Sequence, residues 1–251
     1  MVLLFHPWGS NARDMLKLTE MDEAASARGF LTIALNGVNG SYNGGDCCGE
    51  AARRQVDDVG TVGAILDEVS ARYCIDDHRV HATGFSNGGF ISFSLACSLA
   101  DRIASISTAG AVLGVRHCEP SRAVPILMIN GVGDDVIPPK GGGPMHTEPL
   151  LTTVDGWVAR DGCARTPELF KVNGTTCTRY ASCRDDSVVE SCIVPYAHVW
   201  MGRREFPHDS PSRRRVADEV LNFFVQHPMR AAEPESVRME PTATVTVRAT
   251  P

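Results

Sequence analysis

Apolar residues along this chain fall in short continuous blocks that alternate with longer stretches of helical spacing. Val2 to Phe5 is an unbroken apolar block, as expected of a strand buried on both faces. The turn HPWGS and a helix from about Asn11 to Arg28 follow, with Gly29 as its C-cap. FLTIAL is the next strand, and residues 36–55, rich in glycine and asparagine, predict an exposed loop bordering a site. A helix over 56–73 leads to a short strand over Arg79 to Thr83 and then to GGFISFSLACSLADR, apolar at helical spacing. IASISTAG and VPILMIN read as strands, the second ending at Asn130, and 148–161 as a helix. Residues 168–194 look like irregular strands closing on VVESCIVPY, and a last helix is expected from about Ser212 to Gln226. Apolar strands alternating with helices predict an α/β class with a doubly wound, mostly parallel sheet and helices on both faces. The domain is expected over 1–228. The tail 229–251 has few large apolar residues and is expected to be disordered, with ATVTVRA able to pair with an edge strand.

Composition narrows the function classes. The 251 residues are 43% hydrophobic and 22% charged, enough for one sizeable core. A net charge of -6 offers no basic face, so nucleic acid is not an expected partner, and no apolar run is long enough to span a bilayer. Nine cysteines are many for a reduced compartment, and none has zinc-ligand spacing. Disulfides and an extracellular location are the better reading, and the odd count leaves at least one thiol free or paired outside the chain. MVLLFHPWGS carries no signal-peptide pattern and opens directly on a buried strand, so a leader and a first hairpin are expected upstream.

Within this frame HATGFSNGGF stands out. It sets Ser86 between Gly84 and Gly88 where an apolar strand meets a helix. G-x-S-x-G alone is a weak signal, and a plain glycine turn is the alternative. The strand–turn–helix context favours a nucleophile elbow, whose strained serine leaves no room for side chains two residues to either side. A serine nucleophile needs a base, and the base needs an orienting carboxylate. GVGDDVIPP follows a strand and offers Asp134 and Asp135 at the strand end that faces an active crevice. Of eight histidines, His198 follows the last strand and precedes the last helix, with His208 second in the same loop. Backbone N–H groups for an oxyanion are expected from Asn87 and from Trp8, since Pro7 has none to give. The chain order Ser, Asp, His fits an α/β-hydrolase.

Taken together, YNGGDCCG, VDDVGTVGAILDEVSARYCID, RVHATGFSNGGF, LACSLADRIASISTAG, VPILMINGVGDDVIP, WVARDGC and AHVW resemble, in that order, the secreted esterases that include type C feruloyl esterases and polyhydroxybutyrate depolymerase-like esterases. The resemblance spans residues 2 to about 226. It implies Ser86 as nucleophile, Asp134 rather than Asp135 as acid, and His198 as base, with no metal or organic cofactor. It also implies disulfides Cys97–Cys118, Cys163–Cys183 and Cys177–Cys192, and Cys74 paired with Cys47 or Cys48. The expected substrate is an aromatic acyl ester of cell-wall polysaccharide, with Trp8, Tyr42 and Trp200 as aromatic walls. A polyester or short-chain acyl ester is the second choice, and an inactive carbohydrate-binding relative the third. Pro7 departs from the family's usual glycine after the first-loop histidine. VPYAH and WMG depart from its usual surroundings of the base.

Overall fold

In a computed structural model, which describes residues 1–172, 175–200 and 216–230, eight strands form one sheet in the order β2-β1-β3-β4-β5-β8-β7-β6. The strands are β1 Val2–Phe5, β2 Thr32–Leu35, β3 His81–Phe85, β4 Ser105–Ala109, β5 Ile126–Gly131, β6 Glu168–Val172, β7 Thr175–Tyr180 and β8 Val189–Val194. The helices are α1 Ala12–Thr19, α2 Met21–Ser26, α3 Gly49–Arg53, α4 Asp58–Arg72, α5 Asn87–Ser98, α6 Leu150–Asp161 and α7 Val216–Gln226. β1 to β5 and β8 are parallel, while β6 and β7 close the end as an antiparallel meander where irregular strands were expected.

The continuous apolar blocks are explained by burial on both faces. Leu3, Phe5, Ala82, Ile106 and Met128 face α4, α5 and α6, whereas Val2, Leu4, Phe85, Leu127 and Ile129 face α1, α2 and α7. Full burial of each large apolar side chain contributes about 1.5–3 kcal/mol, so both layers are held firmly against the sheet. α5 is apolar nearly all round because it runs between β3, β4 and the other helices of its layer. Among the described residues no helix is long and apolar enough to cross a membrane.

The single helix expected over 11–28 is two. Asn11 caps the first, its side chain accepting from Asp14 N–H. The break falls at Glu20, in the left-handed region at φ 51°. Thr19 is buried there, donating to the Met15 carbonyl and accepting from Met21 N–H, which replaces the helical continuation. Bending there lets Met15 and Met21, on separate helices, both enter the core.

Cys97–Cys118, Cys163–Cys183 and Cys177–Cys192 are bonded as the resemblance implies, but Cys47 pairs with its neighbour Cys48 and Cys74 is free and exposed. The implied partnership of Cys74 is ruled out by reach. Asn43 N–H donates to Asp58 in the first turn of α4, so the 43–48 loop sits at that helix's start. Cys74 follows its end, about 22 Å away at 1.5 Å per residue, far beyond disulfide range. The expected tail pairing of 243–249 lies outside the described residues.

Candidate active site

The strand order reverses between β1 and β3: the chain leaves β1 toward β2 on one side and β3 toward β4 on the other. The loops diverging there open a crevice at the carboxyl ends of the strands. Ser86 stands in it at the start of α5, with φ 54° and ψ -121°. A residue other than glycine rarely adopts such a backbone, which stores strain of order 1–3 kcal/mol. The flanking glycines allow the bend: a Cβ at position 84 would overlap the Gly88 backbone, and one at 88 the Phe5 carbonyl.

Two other loops reach this serine. Asp134 sits in a tight turn after β5, buried, while its neighbour Asp135 is exposed. Its Oδ1 accepts from the N–H groups of Val136 and Ile137, at 3.0 and 2.7 Å. That leaves Oδ2 aimed at His198 Nδ1, 2.7 Å away. A carboxylate only accepts, so the imidazole proton is held at Nδ1 and Nε2 is left as acceptor for Ser86 Oγ at 2.9 Å. The ring rests on Phe85, centroids 4.9 Å apart. Gly110, at φ 56°, leaves open the space where a Cβ would come within 3.2 Å of both the imidazole and the Phe85 ring. Gly110 is not among the residues expected in the site; its signal in the sequence is the run of small residues STAG that ends a strand.

Asn87 is the first residue of α5, where helical N–H groups have no intrahelical acceptor. Among the described residues no protein acceptor takes up its N–H or that of Trp8, which follows β1. Trp8 is 55% exposed, and Val132, just after β5, is 67% exposed, giving the strand ends an apolar rim. The other two aromatic walls expected are not there. Tyr42 is buried, its hydroxyl donating to the Leu35 carbonyl and its ring packed on Phe5 and His6, and burial pushes the phenol well above its usual range. Trp200 is buried edge-on to Phe85. Both serve the packing beneath the loops, because a ring at a loop root fills the space a strand end leaves uncovered.

Of the other histidines, His81 is a core residue stacked on Phe224, bonded to Ser105 Oγ and held neutral by burial. His117 and His146 are exposed, and His208 lies outside the described residues. No group of three His, Cys, Asp or Glu side chains is placed to hold a metal among the described residues. A cleft of about 1310 Å³ opens at the amino-terminal ends of the strands, where Val80 and Pro125 lead into β3 and β5. Several of its charged groups are engaged by the chain itself, Arg122 by the carbonyls of Ala100, Ile103, Ala104 and Ala123 and Asp186 by Arg230. Chemistry rather than volume therefore locates the candidate site at Ser86.

No family model matches the chain. Feruloyl esterase B of Piromyces equi is 27% identical over 210 residues, covering 77% of this chain and 38% of that protein. A probable feruloyl esterase C of Aspergillus niger is 31% identical over 144 residues, covering 56% of this chain and 46% of that protein. The chain thus spans less than half the length of these curated relatives. Among solved structures, an acetyl xylan esterase from Aspergillus awamori superposes with a TM-score of 0.63 over 89% of this chain and 88% of that one, at 13% identity, which speaks to fold alone. By sequence, then, the chain is similar to proteins named feruloyl esterase, and its fold is that of an α/β-hydrolase.

Proposed function

We propose that this chain is a secreted serine carboxylic-ester hydrolase of feruloyl esterase type, acting on aromatic acyl esters carried by cell-wall polysaccharide. One observation carries the reading: a continuous hydrogen-bonded series from Ser86 through His198 to Asp134, mounted on three separate loops. His198 Nε2 takes the Ser86 proton as Oγ attacks the ester carbonyl, and Asp134 steadies the imidazolium that results. The N–H groups of Asn87 and Trp8 receive the charge that develops on the carbonyl oxygen, a contribution of about 2.7–4 kcal/mol per donor. His198 then returns its proton to the leaving alcohol, an acyl-enzyme remains on Ser86, and water releases the acid by the same steps in reverse order. The apolar rim at Trp8 and Val132 suits a planar aromatic acid, and the feruloyl esterase relatives support that choice. The three loop-closing disulfides support an oxidising destination.

The test is a hydrolysis panel of p-nitrophenyl acetate, methyl ferulate and 3-hydroxybutyrate oligomers, run beside Ser86→Ala and a fluorophosphonate label. The expected result is release of ferulate, labelling of Ser86 and loss of both in the variant. A folded wild-type protein that takes no label and turns over no ester would end this reading. Turnover of the oligomers alone would move the substrate to polyesters.

A further inference from the structure

Asn87 contributes a backbone N–H to the site, but its side chain points elsewhere. The carboxamide is fully buried and turned away from Ser86 onto the backbone of Tyr42, in the loop after β2. Tyr42 N–H donates to Oδ1 at 2.7 Å, and Nδ2 donates to the Tyr42 carbonyl at 2.9 Å. The carboxamide thus takes both the N–H and the C=O of one residue, as a facing residue does in a hydrogen-bonded pair of an antiparallel ladder. The second Nδ2 hydrogen reaches Cys47 Sγ at 3.8 Å, so both Nδ2 hydrogens and the Oδ1 acceptor are engaged.

Tyr42 is held in turn by its hydroxyl on the Leu35 carbonyl, and its ring lies against His6, centroids 4.6 Å apart. His6 is fully buried in the loop that follows β1. Its Nε2 accepts from Gly37 N–H at 3.1 Å, which leaves the proton on Nδ1, and Nδ1 donates to the Pro7 carbonyl at 2.8 Å. That carbonyl belongs to the peptide whose nitrogen is the N–H of Trp8. A buried series of contacts that begins at one oxyanion donor therefore runs through Tyr42 and His6 to the peptide group carrying the other.

The geometry points to the Asn87 carboxamide as a positioning residue that sets the spacing of the two oxyanion donors, Asn87 N–H and Trp8 N–H. This rests on the hydrolase reading and adds to it. The two donors belong to loops from different strands, β1 and β3, and oxyanion stabilisation depends on both lying at hydrogen-bonding distance from one oxygen. Without the clamp, the 41–48 loop and the His6 ring lose their common anchor, while the chemistry-bearing side chains stay untouched.

The test uses the full chain and two substitutions. Asn87→Ala removes the clamp and keeps the backbone N–H. Asn87→Asp keeps shape and the acceptor for Tyr42 N–H, but sets an oxygen against the Tyr42 carbonyl and Cys47. Each variant is measured for a cooperative melt, for kcat and KM on p-nitrophenyl acetate, and for inhibition by phenylboronic acid, whose tetrahedral serine adduct places an oxygen in the oxyanion position. The expected result is a fall in kcat of about 10- to 100-fold, as loop misplacement near 1 Å produces. KM should change little, and the boronate constant should weaken in step with kcat/KM. Folded variants with wild-type kcat and boronate affinity would overturn the proposal, as would failure of both variants to fold, which would make the clamp a requirement of the fold. If instead the wild type itself neither hydrolyses ester nor labels at Ser86, the hydrolase reading falls and takes this inference with it.

Discussion

Asp134 accepts three hydrogen bonds, and the division between its two oxygens has a consequence for substitution. In Asp134→Asn the two backbone donors of Val136 and Ile137 hold the amide oxygen where Oδ1 was, which turns the amide nitrogen toward His198 Nδ1. A donor then faces a donor, the imidazole proton moves to Nε2, and the ring can no longer accept from Ser86. Ester turnover is expected to fall by about 10³- to 10⁴-fold with little change in melting temperature, as rate assays and circular dichroism melts on the variant would report. Ser86 and His198 were legible in the sequence as a glycine-flanked bend and a histidine before the last helix, whereas local pattern offered Asp134 and Asp135 alike after a strand and only the family resemblance chose between them. Tyr42 and Trp200 were not legible, because an aromatic in a loop looks the same whether it faces solvent or roots the loop in the core. The Asn87 carboxamide was equally silent, since its partner is a peptide group 45 residues away.

At the level of elements, α6 meets β5 and β8 through a buried acid. Asp161 accepts from Val124 N–H and from the Ser187 hydroxyl, and burial raises its pKa from 3.8 to about 6. Because folding raises the value, the protonated form is the one the folded protein prefers. Its stabilising contribution is full below the unfolded value and is lost as pH rises through about 6. Asp161→Asn keeps the acceptor for Val124 and lets the Ser187 hydroxyl reverse its bond. The variant is therefore expected to match or exceed the wild-type melting temperature above about pH 7 and to lose that advantage near pH 4. Parallel melts across that range check it, and a variant less stable at every pH would contradict it. Most strands and helices were readable from alternating blocks and helical spacing, but the 36–55 stretch expected as an exposed loop holds helix α3 and buries Ser41, Tyr42, Cys47, Cys48 and Ala51. The break at Glu20 was not readable, because nothing in the local pattern says that Thr19 will trade its place in the helix for two side-chain bonds.

For the whole molecule, the covalent links follow from chain path more than from spacing. Cys97–Cys118, Cys163–Cys183 and Cys177–Cys192 close loops of 21, 20 and 15 residues. Each such loop contributes about 3 kcal/mol by restricting the unfolded chain. Composition alone signalled disulfides, and the family resemblance supplied these three partnerships. The fourth was misread because only the folded path shows that α4 separates Cys74 from the paired Cys47 and Cys48. Native protein should accordingly react with one equivalent of an aromatic disulfide reagent, at Cys74, and with all nine cysteines only after denaturation and reduction. Any further thiol titrating in the native state would refute that pairing. The same helix gives the molecule two chemically distinct poles: a lone sulfhydryl at one, and the crevice loops anchored near the other. Grafted through that sulfhydryl to a maleimide bead, the protein would stand with the Ser86 crevice turned outward, open to polymers too large and insoluble to diffuse.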